Sequence, residues 1–435
     1  LVKKKHKPQH HEHPSIGLSA KAKSRLAQQK QRQKVTLWAS IGIISVVVLV
    51  IGFGVVTKWL LPVYIPLQET VLTVNGTDYN ARYVSRMVNW AVNYYANGDT
   101  SYTYYYIDAA IDQIKENQLI KEAAAELGIT VSNDEINDTI KSNDLDNNPT
   151  NRDLVYNSLL LQKLGTGKFN DEVGSSGEQR QVLAMLLESA EQSEAVKARL
   201  LAGESFSDIT TELSLDSTTI TNKGDMGFHP AGILNGLLFA DGLEEKAFTG
   251  AAGDISFFYD ENKSKQLGYW IVKATEKKTE NGVTTAKALG ILVPTIEKAE
   301  EVRAKLLAGE DFARMVEEYS QDTTSAAADG DMGTLTLGTS TGPVATYAFA
   351  EDTPLNEVSA PILTKDSNTT GAYWLYKVAA IEADRDFSDE DKNTLINAAF
   401  TEWVKGVTED PSNDIVVIEL TEEQRTLIAT QSLEA

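Results

Sequence analysis

VKARLLAGESFSDITTELSLDSTTITNKGDMG (196–227) and VRAKLLAGEDFARMVEEYSQDTTSAAADGDMG (302–333) are two versions of one segment. They align without a gap at an offset of 106 residues, and half of the 32 positions are identical. A repeat of that period, present twice, is too long for a solenoid and indicates a duplicated domain. In each version a helix carrying Val196, Leu200 and Leu201 (Val302, Leu306 and Leu307) stops at Gly203 (Gly309), a residue suited to a left-handed cap. Phe312, Met315, Val316 and Tyr319 then recur at i, i+3, i+4, i+7, which predicts a second helix. A Ser-x-Asp turn and a Gly-Asp-Met-Gly loop complete the block.

At 435 residues the chain has room for two to four domains, each with its own core. It contains no cysteine, which excludes disulfides and thiolate chemistry. The net charge of −22 is unevenly spread. Residues 1–34 hold ten Lys/Arg and one acid, leaving 30 basic against 61 acidic residues beyond them. Between tail and body lie 23 uncharged residues, VTLWASIGIISVVVLVIGFGVVT (35–57). At ~1.5 Å per residue they cross a hydrocarbon layer of ~30 Å. The run is too long for a signal-peptide core and no small-x-small cleavage site follows, so 35–61 reads as an uncleaved anchor. The basic tail (1–34) is expected in the cytoplasm and the acidic body outside. Trp38 and Trp59 stand near the ends of the span. His6, His10, His11 and His13 read as part of an unstructured polar segment, with metal binding as the alternative. The tail lacks the interleaved aromatics of a nucleic-acid binder.

Beyond the span, residues 71–79 predict a short strand and turn. Apolar positions from Ile107 to Ala123 predict a helix over 104–127 closed by Gly128, and Ser132-Asn-Asp-Glu135 fits a capping box. Residues 144–153 superficially suggest a calcium loop, but Pro149 and Val155 occupy positions that need Gly and Glu, so the segment reads as a plain loop. Residues 171–179 and 279–285 read as linkers. Each repeat opens on a β-rich run (QVLAMLLE, AKALGILV) and closes on another (LGYWIVKA, GAYWLYKVAAI). Ser388–Asp391 caps a helix through Trp403, and 414–420 reads as a strand followed by a tail.

The repeat resembles the parvulin (rotamase) domain of peptidyl-prolyl isomerases, whose sequences run His-Ile-Leu-Val, a Leu-x-x-Gly-x-x-Phe helix end, Tyr-Ser-x-Asp, Gly-Asp-Leu-Gly and Gly-Tyr-His-Ile. The likeness covers about 100 residues in each copy. ENQLIKEAAAELGITVSNDEINDTI (116–140) resembles the N-terminal domain of the SurA/PrsA/PpiD group of extracytoplasmic chaperone-foldases. These resemblances imply a multi-domain chain: an N-terminal transmembrane helix, a mostly α-helical SurA-N-like domain (68–170, completed by 386–420) and two α+β parvulin-like domains of the FKBP-like superfold (179–278 and 284–384). A C-terminal helix, strand and tail would fill 386–435.

The resemblance also locates a site. Prolyl isomerisation breaks no covalent bond; a cleft lowers a rotational barrier of ~18–20 kcal/mol by binding the twisted amide best. Parvulins use two histidines, on the first and last strands, with a Cys or Asp between them. Here the first-strand position falls on Ala184 and Gly290, and the last-strand position on Trp270 and Trp374. Asp216 and Asp322 keep the third position, as catalytic candidates or as turn caps. Met226 and Met332 stand for the cleft leucine, with Phe228, His229 and Phe239 beside them in the first copy. Phe248 and Phe349 match a core position. His229 is the one histidine beyond the span. The two tryptophans are either core or indoles occupying the space of the missing imidazoles.

No cofactor, metal or nucleic acid is expected. The expected function is a membrane-anchored extracytoplasmic folding factor that holds unfolded or proline-containing chains on flexibly linked modules, with little or no isomerase activity. The alternatives are an active isomerase relying on Asp216 and desolvation, or a scaffold subunit of one membrane complex.

Overall fold

The computed structural model describes residue 41 and residues 43–433. The first residues of the expected anchor and the basic tail lie outside the described residues. Eleven strands are present among them: β1 (Thr70–Val74), β2 (Thr77–Asn80), β3 (Ser176–Leu187), β4 (Asp225–His229), β5 (Ile255–Lys265), β6 (Gly268–Glu280), β7 (Val283–Val293), β8 (Asp331–Thr336), β9 (Ile362–Thr364), β10 (Thr369–Asp386) and β11 (Ile415–Val417). The chain divides into two compact units: residues up to Leu160 with those from Gly406 onward, and Leu161–Lys405.

The first unit begins with an apolar helix, Ile43–Gln68, whose 26 residues are long enough to cross a membrane. Its turns widen across Val56–Tyr64, where Pro62 removes an amide donor. β1 and β2 form a hairpin on Asn75-Gly76, both at positive φ (47° and 79°), the conformation a two-residue turn needs. β11 lies antiparallel on the other side of β1, with Leu72 opposite Val417 and Val74 opposite Ile415. Helices Ala81–Tyr95 and Tyr105–Glu126 cover the sheet. Their Val84, Val88, Ile107, Ile111 and Ile114 share one core with Val71, Leu72, Leu420 and Ile428.

Two local expectations change. The segment 144–153 is a loop only as far as residue 148; Pro149 opens the helix Pro149–Lys163, because proline fits a first turn whose amides have no partner anyway. The C-terminal tail is the helix Glu422–Ser432, started by a capping box between Thr421 and Gln424 and held by burial of Ile428 and Ala429.

The second unit holds two four-stranded sheets, ordered β4-β3-β10-β5 and β8-β7-β6-β9. Each repeat supplies its first strand, three helices, a second strand, further helix and a third strand to one sheet. Its last strand goes to the other sheet. β10 of the second repeat pairs with β3 of the first, from Tyr373 opposite Leu187 to Asp386 opposite Ser176. β6 of the first repeat pairs with β7 of the second, from Tyr269 opposite Val293 to Glu280 opposite Val283.

The boundaries 179–278 and 284–384 therefore do not delimit the sheets. One module is 176–265 with 369–386; the other is 268–364. The cause is local. The expected linker 279–285 is a hairpin turn on Asn281-Gly282, at φ 49° and 79°, and a two-residue turn obliges its flanking strands to pair with each other. The expected linker 171–179 similarly gives way to β3 at Ser176.

The two crossings, residues 266–267 outward and 365–368 back, are fastened together. Buried Lys265 donates to the Gly371 carbonyl, and the Thr369 hydroxyl donates to the Leu267 carbonyl. Gln321 exchanges two hydrogen bonds of 2.9 and 2.8 Å with Thr370. Glu188 accepts from the Ile296 amide and Glu297 from the Glu191 amide, both at 3.1 Å. Gly371, at φ 110°, is required here: a Cβ would fall 2.2 Å from the Tyr259 hydroxyl. The modules are braced rather than flexibly linked.

This topology makes the modules unequal as fragments. Residues 268–364, expressed alone, are expected to give a dispersed amide spectrum and a cooperative melt. Residues 176–265 are expected to stay unfolded until a 369–386 peptide is added. A stable 179–278 fragment beside an unfolded 268–364 is the opposite result and refutes the exchange.

Candidate functional site

Alternation along β3 and β10 decides what each face carries. Val182, Ala184 and Leu186 of β3 and Ala372, Trp374, Tyr376 and Val378 of β10 form one core with Met226, Leu234, Leu238 and Leu243. Met185, Leu187 and Leu375 point to the other side, under the Ala190–Leu201 and Phe206–Leu213 helices. Leu186 is opposite Trp374 and Ala184 opposite Tyr376, so Ala184 and Trp374 are diagonal neighbours on one face. Both are fully buried.

The exchange thus re-partners the expected positions. Ala184 does not share a groove with Trp270, nor Gly290 with Trp374. The sets are Ala184, Met226 and Trp374 in one module and Gly290, Met332 and Trp270 in the other. In the second set a Cβ on Gly290 would lie 2.9 Å from the Met332 sulfur and 3.0 Å from Trp270 Cζ3. The missing side chain at 290 is what gives the indole its space, and Trp270 is 6% exposed. Val272, Ala288, Leu292 and Val344 enclose it. Phe248 and Phe349 pack against their respective cores.

A polar network that the sequence did not reveal surrounds Trp374. Its Nε1 donates to Asp260 Oδ2 at 3.1 Å. Asp260 also accepts from the amides of Asp241 (2.9 Å), Asn262 and Lys263 (both 3.1 Å). The Lys263 ammonium sits 4.9 Å from the indole ring centre, donates to the Leu238 carbonyl at 2.6 Å and pairs with Asp216 Oδ2 at 3.0 Å. Asp216 Oδ1 accepts from the Thr219 amide at 2.9 Å, capping the Ser217–Thr221 helix. Asp216 is therefore both a cap and half of an ion pair whose side chains are 11% and 9% exposed. No signal in β5 singles out Asp260 or Lys263, since Asp260–Lys265 is an unbroken polar run and only the tertiary fold gathers these two. Asp322 caps the Thr323–Ala326 helix through the Ser325 amide at 2.7 Å. Among the described residues it has no cation corresponding to Lys263.

His229 ends β4 and is fully engaged. Its Nδ1 lies 3.0 Å from each carboxylate oxygen of Asp391, and its Nε2 lies 2.8 Å from the Met226 carbonyl. It joins β4 to the first turn of the Asp389–Thr408 helix. Phe228 is covered by the Arg385 guanidinium at 4.4 Å. Phe239 is the exception: it is 84% exposed and held at φ 48°, an uncommon conformation for a bulky residue. It directly follows Leu238, whose carbonyl Lys263 binds.

Chemically, these carboxylates, the ammonium and the imidazole are turned inward and satisfied. Ala184 and Trp374 are fully buried and Trp270 is nearly so, while Phe239 is exposed beside the first set.

Residues 28–174 match the SurA-like N-terminal domain, and residues 292–371 match the PPIC-type PPIASE domain. In these two segments the chain is similar to SurA/PrsA-type chaperone-foldases. It is 33% identical over 163 residues to the chaperone SurA of Alkalilimnicola ehrlichii, covering 34% of this chain and 36% of that one. It is 26% identical over 177 residues to the foldase protein PrsA of Caldanaerobacter subterraneus subsp. tengcongensis, covering 38% and 55%. The chain thus spans about a third to a half of the length of these curated relatives. Among solved structures it is similar to the peptidylprolyl isomerase PrsA of Bacillus cereus (TM-score 0.28, 9% identity, 85% of this chain and 100% of that one). A second is PrsA of Bacillus anthracis (TM-score 0.26, 12% identity, 74% and 94%). The parvulin match begins at Leu292 near the end of β7 and stops at Gly371 inside β10.

Two measurements probe the network. Lys263→Met leaves a buried carboxylate unpaired and is expected to destabilise the second unit by about 3–5 kcal/mol in urea unfolding. Adding Asp216→Asn, which keeps the cap, should recover much of that loss; simple additivity of the two changes would show that they are not coupled. The second concerns Lys265, whose burial pulls its pKa from 10.5 down to about 8. Below pH 8 the ammonium is charged in both states and its burial penalty is in full force. As the pH rises from 8 toward 10.5 the folded chain releases this proton first, the unfolded chain holds more, and stability increases. Between pH 7.5 and 9.5 the wild type should gain roughly 2 kcal/mol relative to Lys265→Met. A gap independent of pH contradicts the assignment.

Proposed function

We propose that this protein is a membrane-anchored extracytoplasmic folding factor whose two parvulin-like modules bind unfolded, newly exported chains with little or no prolyl isomerase activity. What supports this reading is that the positions the resemblance assigns to the histidines hold Ala184 beside Trp374 and Gly290 beside Trp270, all buried. Four substitutions away from imidazole remove the general polar network of the family, and the remaining Asp216 is committed to Lys263. That commitment also weighs against an isomerase built on Asp216. The anchor rests on the Ile43–Gln68 helix and on the ten basic residues that precede it. The acidic body favours basic or neutral clients and keeps the holding protein soluble.

Two assays on the full chain in detergent micelles decide it. Isomerisation of a proline tetrapeptide should stay near the uncatalysed rate, unchanged by Asp216→Asn, while aggregation of a denatured model client is suppressed at stoichiometric amounts. A rate far above background that Asp216→Asn removes would establish the isomerase instead. A single stoichiometric partner on capture, without suppression of aggregation, would establish the scaffold. Topology is tested separately. The chain has no cysteine, so an impermeant maleimide on intact cells should label Glu409→Cys and not Lys30→Cys.

A further inference from the structure

β11 is an edge strand with unusual composition. Among the described residues no strand pairs with its far side. Ile415, Val416, Val417 and Ile418 are 37, 51, 48 and 44% exposed, four consecutive β-branched residues in water. Natural edges are usually blunted by charge, proline or a bulge, and a long apolar edge invites another strand. β5, the long edge of the β4-β3-β10-β5 sheet, shows that protection: it carries Asp260, Glu261, Asn262, Lys263 and Lys265.

The backbone geometry identifies the unsatisfied groups. The Ile418 amide donates to the Val71 carbonyl at 3.0 Å, and the Asp414 carbonyl accepts from the Asn75 amide at 2.8 Å. Residues 414, 416 and 418 therefore face β1, and by antiparallel alternation the amides and carbonyls of Ile415 and Val417 point outward. An added strand would find two donors and two acceptors in register.

Charge decides what that strand is. Residues 409–423 contain Glu409, Asp410, Asp414, Glu419, Glu422 and Glu423 and no Lys or Arg. Two copies of this chain pairing antiparallel with Ile415 opposite Val417 would set Asp414 of one against Ile418 of the other and Glu419 against Asn413, gathering four carboxylates around a short ladder with no cation among residues 409–423. Charge of one sign gathered there opposes the pairing. A chain with basic residues at each end of an apolar stretch meets the reverse situation.

We propose that the outer edge of β11 is a β-augmentation site for extended, β-branched polypeptide segments flanked by lysine or arginine. This rests on the client-binding reading above and specifies where, and by what chemistry, one class of client is recognised. Main-chain bonds to Ile415 and Val417 supply affinity without regard to sequence, and the acidic flanks select the segment.

The probe is a fluorescein-labelled peptide, Lys-Lys-Thr-Val-Thr-Val-Thr-Lys-Lys, and its Glu-flanked counterpart, titrated into the full chain in detergent micelles. The Lys-flanked peptide should bind at least 10-fold tighter, with the difference collapsing at high salt. Val417→Pro removes an outward amide while leaving the bonds to β1, and should weaken binding at least 10-fold with an unchanged circular dichroism spectrum. N-methylation of alternate peptide residues should abolish binding on one edge and spare it on the other, a test that needs no variant of the protein. Equal binding of the two methylation patterns, or of the two flanking charges, overturns the proposal. So does a dimer in sedimentation that Val417→Pro dissolves. Suppressed client aggregation without peptide binding sinks this site and leaves the folding-factor reading standing; loss of both sinks the reading itself.

Discussion

The hairpin turn at Asn281-Gly282 constrains everything in the second unit. Two residues at positive φ leave the chain no length to travel, so the strand that enters and the strand that leaves are hydrogen-bonded neighbours. Because β6 is the last strand of one repeat and β7 the first of the next, this neighbour relation joins two repeats that would otherwise close on themselves. β10 is then the remaining partner for β3, and the first module is completed only by residues more than 180 positions away from its first strand. One two-residue turn converts a tandem array into a nested pair.

Repeat periodicity was the most legible feature of the chain, and it also misled. LGYWIVK and GAYWLYK are near equivalents, so an alignment cannot say which sheet receives which. Asn-Gly between two β-rich runs is a strong short-range hairpin signal, yet its position at the repeat boundary made it resemble a linker. Local chemistry was read correctly where it was self-contained: the Ser132–Glu135 capping box, the strand and turn at 71–79 and the stop at Gly128 all occur. Asp260 and Lys263 were not legible, because burial of polar side chains on an edge strand is created by what packs over them and leaves no period in the sequence.

Burying an indole at each position that the resemblance assigns to a histidine has a steric condition. The indole's bulk must be matched by a small residue on the neighbouring strand, and the chain has Ala184 at one site and Gly290 at the other. Each small residue lies diagonal to the indole of the other repeat across the strand pair, so neither repeat is sterically complete by itself. A substitution at 290 would be felt at Trp270, and one at 184 at Trp374, which crosses the boundaries a linear reading would draw. The two modules are also electrically different. Trp374 is anchored by Asp260 and lies under a buried ammonium, whereas Trp270 sits among aliphatic side chains.

Nesting changes the physics of the client holding proposed above. Modules on a flexible tether gain by effective concentration, which falls as the linker lengthens, and they adapt to many spacings. Modules braced by two short crossings, by Lys265 on Gly371 and by Gln321 on Thr370 present fixed distances instead. A rigid array loses less conformational entropy when both faces are occupied, and it excludes clients whose apolar segments do not match its span. Adaptability must then reside in the contacts themselves. Exposed Phe239 is one contact in the second unit that is indifferent to client sequence. Under the proposed holding role, breadth of recognition would come from such chemistry, because the strand exchange has removed freedom from the frame of the two modules.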